Sequence, residues 1–270
     1  YCEKPMTSDL ASADRVIAAA DAKGRKIAVA HQNVYLPQLQ EVRRRVADGL
    51  IGTLLELRGV GKQDRRGGGE DMLVLGTHLF NTMRCFGGDV SWVSGHVTVN
   101  GREIGKGDAR EPTEPIGLIA GDAVNAYYSF ANGATGSFVS RANQPGTGRG
   151  YSLQLVGDAG SVAMRGAGSD FVIARHDYWA PWDGADGWDT IDFAGAINKD
   201  GNQDFNKDRN QLVIEDLIDA INSDREPLSS ARSARAALEM IHGVYASQIK
   251  GERIPVPLSE RGHPLEQLRS

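Results

Sequence analysis

Residues 1–33 read YCEKPMTSDLASADRVIAAADAKGRKIAVAHQN, a short extended tract, a helical pattern and a second extended tract. Thr7-Ser8-Asp9 supplies a helix N-cap, apolar side chains follow at helical spacing, and Gly24 ends the helix. The β-branched tract at 26–30 is then a strand. A strand, a crossover helix and a second strand form one βαβ unit of a parallel sheet. Since one unit cannot cover both faces of such a sheet, residues 1–35 are predicted to be the end of a larger α/β domain.

The pattern changes in the rest of the chain, where runs of strands replace the βαβ order. Helices are predicted over Pro37 to Leu50 and Leu73 to Phe86, with a strand from Thr53 to Val60 between them. Further strands are predicted at 90–99, 123–130, 135–140, 151–156, 161–164 and 171–175. Hairpin-type turns separate several of these strands, which indicates an antiparallel sheet. Two helices, at 209–222 and 230–250, close the chain.

Composition excludes some partners. The 270 residues are 40% hydrophobic and 24% charged, ordinary values for a soluble globular protein. The net charge of −5 disfavours nucleic acid, whose partners are usually basic, and no stretch reaches the roughly 18 consecutive apolar residues of a membrane helix. Cys2 and Cys85 lie far apart without metal-ligand spacing. We therefore expect reduced thiols rather than a disulfide, and no metal site.

Lys4 is the first candidate for chemistry. It follows the first predicted strand, at the edge where open α/β sheets bind ligands. An ammonium held there can donate a hydrogen bond to a substrate hydroxyl, and partial desolvation would lower its pKa. The alternative is a solvent-exposed lysine at a strand end. The residues by themselves leave both interpretations open.

His78 is the second candidate, inside an otherwise apolar helical pattern. An imidazole can accept a proton from a secondary alcohol as hydride leaves, although a lone buried histidine is often only a packed polar group. Gly67-Gly68-Gly69, followed by Glu70-Asp71, precedes this helix. The glycines predict either a close approach of the backbone to a ligand or a flexible loop.

Two further groups are candidates for ligand contacts. His31, Gln32 and Asn33 follow the second strand at the same sheet edge, where they would contact a ligand or serve as turn and capping residues. Tryptophans alternate with aspartates at Trp179, Trp182 and Trp188, which suits either a carbohydrate surface or a pinned loop. The stretch from Tyr178 to Asn210 is long and polar, as functional or disordered loops are.

Taken in order, short motifs along the whole chain resemble the glucose-fructose oxidoreductase/inositol dehydrogenase family, or Gfo/Idh/MocA. They include Cys2-Glu3-Lys4-Pro5-Met6, Val29-Ala30-His31-Gln32-Asn33, Gly76-Thr77-His78, Asn132-Gly133-Ala134-Thr135-Gly136, Gly157-Asp158-Ala159-Gly160-Ser161 and Asp224-Arg225-Glu226-Pro227-Leu228. Each motif is weak by itself. Their order and separation together are specific.

The resemblance implies a fold of class α/β then α+β. Residues 1–35 would be a remnant of a dinucleotide-binding (Rossmann) parallel sheet. Residues 36–270 would be a substrate-binding and oligomerisation domain, a large, mostly antiparallel open sheet with helices on one face. It also implies the use of NAD or NADP on a sugar, polyol or related secondary alcohol. The open sheet further suggests a homo-oligomer, and the cysteine usage suggests a cytoplasmic location.

The resemblance also assigns residue roles. Lys4 and His78 would be catalytic. The cofactor would be contacted by Glu3, Lys4, Pro5, His31 and Gln32. The substrate would be contacted by Asn33, Glu70, Asp71, Trp179 and Trp182.

Two departures from the family pattern open alternatives. Many members carry aspartates four residues before and three after the histidine, but here these are Val74 and Asn81, so Glu70 or Asp71 would have to support the imidazole. The glycine-rich phosphate loop expected before the Glu-Lys-Pro tract is missing, which predicts that the chain is a fragment that binds a dinucleotide poorly. An NAD-dependent glycosidase or lyase using transient oxidation, or a non-catalytic sugar-binding relative, are the alternative functions.

Overall fold

The computed structural model describes residues 1–114, 116–144, 150–165, 170–174, 188–193 and 209–269. The helices in these ranges are α1 (Leu10–Ala22), α2 (Pro37–Ala47), α3 (Gly69–Val74), α4 (Gly76–Gly87), α5 (Arg209–Asn222) and α6 (Ala231–Lys250). The strands are β1 (Leu54–Val60), β2 (Val90–Val99), β3 (Arg102–Glu103), β4 (Ala123–Phe130), β5 (Thr135–Arg141), β6 (Ser152–Gly157), β7 (Gly160–Arg165), β8 (Asp170–Ala174), β9 (Asp189–Thr190) and β10 (Ile254–Pro255). Short 3₁₀ helices lie at Gln32–Tyr35 and Pro264–Leu268. No helix of the described ranges combines the length and apolarity needed to cross a membrane.

The N-terminal segment forms the βαβ unit that its sequence predicts. Cys2 and Val29 make a parallel bridge, and α1 connects the two extended tracts. Asp9 caps α1 by accepting a hydrogen bond from the Ser12 amide at 2.7 Å. Ala28 also bridges Ser230, the N-cap residue of α6, in antiparallel register. The unit is therefore tied to the last long helix as well as to itself.

A single mixed sheet dominates the rest of the described chain. Its strand order is β10-β2-β4-β5-β1-β6-β7-β8-β9, with β3 paired to β2. The hairpins β4-β5 and β6-β7 turn at the predicted Asn132-Gly133 and Asp158-Ala159-Gly160. Only the β1–β5 pair is parallel, because β5 reaches β1 through a crossover that includes α3 and α4 rather than a hairpin. The large, mostly antiparallel sheet is confirmed.

Helices α4 and α6 cover one face of the sheet, and α6 lies against β2. A Cβ built on Gly95 of β2 would lie 2.6 Å from the Val244 carbonyl oxygen of α6, so this close approach requires glycine. No helix of the described residues covers the other face. There Tyr127 and Val139 are 41% and 37% exposed, and the Trp92 ring lies 5.7 Å from the Tyr127 ring. Helices on one face, with no described helix on the other, match the expected class.

One predicted helix and one predicted loop are wrong. The helix expected over Leu73 to Phe86 is two helices, α3 and α4, which meet at Leu75. The expected flexible or ligand-facing glycine loop instead leads directly into α3, and a Cβ on Gly67 would overlap the backbone of Arg141 and Ala142. The glycines are required because this backbone packs against the end of β5. That neighbour is distant in sequence, so local pattern did not show it.

Candidate active site

Lys4 points from the end of the first extended tract towards the helices. Its Nζ donates a hydrogen bond to the Val74 carbonyl oxygen at 2.7 Å, at the last residue of α3. Desolvation lowers the pKa of Lys4, against the opposing charges of Glu114 and Glu3. The solvent-exposed interpretation is therefore wrong. This ammonium is partly buried and fixed beside the start of α4.

His78 lies in the first turn of α4, four residues after the carbonyl that Lys4 contacts. Its side chain is buried, with the residue only 8% exposed. Burial, together with the positive charges of Lys4 and Arg209, lowers the pKa of His78 to about 3. Nδ1 is buried without a hydrogen-bond partner among the described residues. The fold thus brings the predicted amine and the predicted imidazole together, and it leaves one buried imidazole nitrogen without a partner among the described residues.

A second buried imidazole stands beside the first. His31 contacts the Ser229 hydroxyl through Nδ1 at 3.0 Å and the Thr77 hydroxyl through Nε2 at 2.9 Å. Its ring meets the His78 ring edge-on, with centroids 5.5 Å apart. Burial lowers the pKa of His31 well below its usual value. His31 therefore joins the strand end of the βαβ unit to the helix that carries His78.

Tyr151 forms the opposite wall of the site. Its ring stacks on the His78 ring at 6.3 Å with an interplanar angle of 9°. The Asn33 amide donates to the Tyr151 hydroxyl, and Arg209 donates to the Asn33 carbonyl oxygen at 3.5 Å. Burial raises the pKa of Tyr151 to about 12, so the phenol stays protonated. Asn33 is thus placed next to His78 through Tyr151.

The other residues predicted near the cofactor are more peripheral. Gln32 donates to the Asn210 side-chain oxygen at 2.8 Å, and the Tyr1 hydroxyl contacts the same oxygen at 2.9 Å. Glu3 is exposed and lies 3.2 Å from the Tyr1 hydroxyl. Pro5 is half-buried directly after Lys4. These residues border the site without contacting His78 among the hydrogen bonds of the described chain.

The carboxylates predicted to support His78 are engaged elsewhere. Glu70 accepts hydrogen bonds from the Thr113 hydroxyl and amide and lies 3.4 Å from Arg110. Asp71 accepts from the Ser140 hydroxyl at 2.6 Å and the Gln63 amide at 3.0 Å. Both acids are buried in α3 and hydrogen-bonded to these partners. The structure therefore does not bring either carboxylate to the His78 imidazole.

The two positions that depart from the family pattern do not supply a carboxylate either. Val74 offers only its backbone carbonyl, to Lys4. Asn81 donates to the Ser229 hydroxyl at 3.2 Å and so supports the Ser229–His31 contact instead. Among the described residues, the ionisable side chain beside the His78 ring is the imidazole of His31, not the expected carboxylate.

Several residues of this cluster were missed from the sequence. Tyr151, Ser229 and Arg209 come from three separate parts of the chain and carry no motif of their own, and Thr77 lies in the Gly76-Thr77-His78 motif but was not named as a site residue. Trp179 and Trp182 lie outside the described residues. Within the described ranges, no group of three or more histidine, cysteine or acidic side chains is arranged to bind a metal ion.

The fold defines a mixed α/β protein in which an N-terminal unit, two extended tracts bridged in parallel and joined by α1, precedes a large mixed sheet, with the candidate site between them. Residues 39–163 match the family model described as the GFO/IDH/MocA C-terminal domain. This match covers 125 of the 270 residues and shows that they are similar to the C-terminal domain of that family. No curated protein sequence matches the chain.

Solved structures share this fold at low sequence identity. An NAD-binding oxidoreductase from Klebsiella pneumoniae is 20% identical, with a TM-score of 0.71 over 95% of this chain and 73% of its own. Levoglucosan dehydrogenase, in complex with NADH and L-sorbose, is 20% identical, with a TM-score of 0.72 over the same shares. The WlbA dehydrogenase from Bordetella pertussis, with NADH and UDP-GlcNAcA, is 19% identical, with a TM-score of 0.65 over 95% and 71%.

The buried imidazoles predict acid sensitivity. Because the folded-state pKa of His78 is about 3 and its ordinary value is 6.5, the unfolded state binds more protons between these values. The free energy of unfolding should therefore fall as pH falls from about 6.5, by up to about 1.4 kcal/mol per pH unit for one imidazole. His78→Gln removes this contribution, so its unfolding free energy should fall less steeply with acid. Urea denaturation at several pH values measures the slope.

The matched control is His96→Gln, which makes the same substitution on the exposed part of β2, away from the buried cluster. Equal slopes in the wild type and His78→Gln would contradict a buried, neutral His78.

Proposed function

We propose that the protein is an NAD(P)-dependent oxidoreductase that transfers hydride between nicotinamide and a sugar, polyol or related secondary alcohol. In this proposal residues 1–35 belong to the cofactor-binding domain and residues 36–270 form the substrate-binding domain. The similarity of residues 39–163 to the Gfo/Idh/MocA C-terminal domain supports the cofactor class. The sugar-like ligands printed for levoglucosan dehydrogenase and WlbA support the substrate class.

The main observation in support of the proposal is that Lys4 and His78 lie close together in the fold. They are distant in the chain, yet Lys4 donates to the carbonyl one turn before His78, and its charge lowers the pKa of that imidazole. A buried nitrogen without a partner, Nδ1 of His78, is the kind of group that a ligand hydroxyl satisfies. These residues fit the nicotinamide and substrate end of such a site. When bound, the nicotinamide supplies the hydride acceptor.

The residues would divide the work of oxidation. A secondary alcohol becomes a carbonyl by losing a hydride from carbon and a proton from oxygen. Lys4 would donate a hydrogen bond to the reacting oxygen and stabilise negative charge on it. His78, neutral because it is buried, would accept the hydroxyl proton. His31, held by Ser229 and Thr77, would fix the position of the His78 ring.

A panel of sugars and polyols tests the proposal. We expect at least one member to give net formation of NADH or NADPH, followed by absorbance of the reduced nicotinamide. Product formation with unchanged cofactor absorbance would instead identify a glycosidase or lyase that oxidises its substrate transiently. Saturable sugar binding with neither signal would overturn both enzymatic functions.

One observation favours a non-catalytic sugar-binding protein as the second candidate. No carboxylate of the described chain contacts His78, and a base with a pKa near 3 is poorly matched to proton transfer at neutral pH. Restoring an acid separates the two candidates. Asn81→Asp should raise the pKa of the neighbouring imidazoles and increase turnover in an enzyme, whereas a binding protein should stay inactive.

We also propose that the open sheet face associates with a second copy of the chain. It carries Trp92, Tyr127 and Val139, apolar side chains that no helix of the described chain covers. Light scattering should give at least a dimer at micromolar concentration, and Tyr127→Lys should dissociate it. A wild-type monomer would contradict the proposal.

A further inference from the structure

A cavity of about 230 Å³ lies beside the candidate active site, one to two turns along α4 from His78. It lies between α2, the 3₁₀ turn before α2, α4 and the start of α6, and it is partly open to solvent. Its polar lining among the described residues is Gln40, Arg43, Asn81, Arg84, Cys85 and Ser233. The roles proposed for Lys4 and His78 make no use of this cavity.

The lining is positively charged in an acidic protein. Two guanidinium groups reach the cavity, and no carboxylate of the described chain lines it, although the net charge of the chain is −5. Arg43 is exposed on α2 and has no ion pair among the described residues. The carboxylates near it on the helix are bound to its neighbours, since Arg44 and Arg45 both pair with Glu41.

One buried nitrogen of the Arg84 guanidinium has no hydrogen-bond acceptor among the described residues. The terminal guanidinium nitrogens donate to Asp89 and, at 3.3 Å, to the Ser233 carbonyl oxygen. Nε is buried and has no partner within the described residues. The Asp89 side chain is 79% exposed, so solvent screens most of its charge. An unsatisfied buried donor is costly, and a charged acceptor in the cavity would remove that cost.

The third contribution comes from the start of α6. This helix is 20 residues long, Ser230 is its N-cap, and Ser233, which lines the cavity, lies in its first turn. The N-terminus of a long helix carries partial positive charge and favours anions. In this turn the Ala231 amide donates to the Ile27 carbonyl oxygen and the Ser233 amide to the Ser230 hydroxyl, so α6 contributes its partial positive charge and the Ser233 hydroxyl rather than free amides.

We propose that this cavity binds a phosphate group, either as inorganic phosphate or as a small phosphomonoester. Planar guanidinium donors match phosphate oxygens, and several donors around one volume suit a tetrahedral dianion. Arg43 and Arg84 supply the charge, and the Ser233 hydroxyl supplies a further donor. The proposal does not depend on oxidoreductase activity, because binding alone is its readout.

Isothermal titration of the whole protein with inorganic phosphate, and separately with glucose 6-phosphate, tests the site at constant ionic strength. Loss of one charged hydrogen-bond donor should weaken binding by about tenfold or more, so Arg43→Gln should raise the dissociation constant accordingly. Arg43→Glu should abolish binding. Because Arg43 is exposed on α2, both variants should keep the wild-type melting temperature.

Arg44→Gln is the matched control, since it removes an adjacent exposed arginine that does not line the cavity. It should bind either probe as the wild type does. Binding of one probe alone identifies free phosphate or the ester as the ligand. Absence of saturable binding for both probes, or equal affinity in the wild type and Arg43→Glu, would overturn the proposal.

Discussion

His78→Ala is expected to lower kcat/KM by about 10²- to 10⁴-fold with the best sugar of the panel, the usual contribution of a general acid or base. The imidazole is buried against Lys4, His31 and Tyr151, so water cannot easily replace it as the proton acceptor. The loss should fall mainly on kcat, because proton transfer occurs in the reaction step. Initial rates of nicotinamide reduction measure both constants.

His96→Ala makes the same chemical change at an exposed histidine of β2 and should keep wild-type kinetics. The pH profile adds an independent check. Because burial lowers the pKa of His78 to about 3, this imidazole stays neutral when the pH is lowered through 6.5. Its protonation should therefore not reduce kcat/KM of the folded enzyme in that range. Wild-type kinetics in His78→Ala would remove His78 from the reaction.

Gly67→Ala is expected to lower the free energy of unfolding by about 2–4 kcal/mol, at the upper end for overpacking. An added Cβ would overlap the backbone at Arg141 and Ala142, not a side chain that could rotate away. That backbone is itself held, since the Ala142 amide donates to the Asp122 carbonyl at 2.8 Å and β5 is paired on both edges. Denaturant unfolding, monitored by circular dichroism, measures the change.

Gly105→Ala is the matched control, because no atom lies within 4 Å of the Cβ that it would add. It should change the unfolding free energy by less than about 0.5 kcal/mol, as most surface substitutions do. Equal stability of the two variants would mean that the segment before α3 is loose, as the glycine run first suggested.

Elements with strong local signals were predicted closely from the sequence. The strands Val90–Val99 and Ala123–Phe130 and the helix Arg209–Asn222 have the predicted bounds. Alternating burial, helical spacing and the Asn132-Gly133 turn are properties of neighbouring residues, so sequence pattern is enough to reveal them. The division at Leu75 was missed because the apolar pattern runs on through residues 73–86, whereas α3 ends at Val74 and α4 begins at Gly76.

The candidate site was predicted in part. Lys4 and His78 were each identified from local context and the family resemblance, and the fold brings them together through a hydrogen bond between residues 70 positions apart. Glu70 and Asp71 were expected to support His78, but Thr113 and Ser140 engage them instead. Tyr151 was missed, because an ordinary strand residue becomes part of a site only through its spatial neighbours.

The amino-acid sequence by itself determined the order of the elements, the βαβ start, the mostly antiparallel sheet and the pair of residues to consider for chemistry. Tertiary structure decided that β1 pairs in parallel with β5, that Gly67 packs on backbone, and that His78 is neutral beside a second imidazole. The physical reason is one of range. Periodicity and capping depend on residues a few positions apart, whereas burial, charge and strand register depend on groups that only folding brings within a few ångströms.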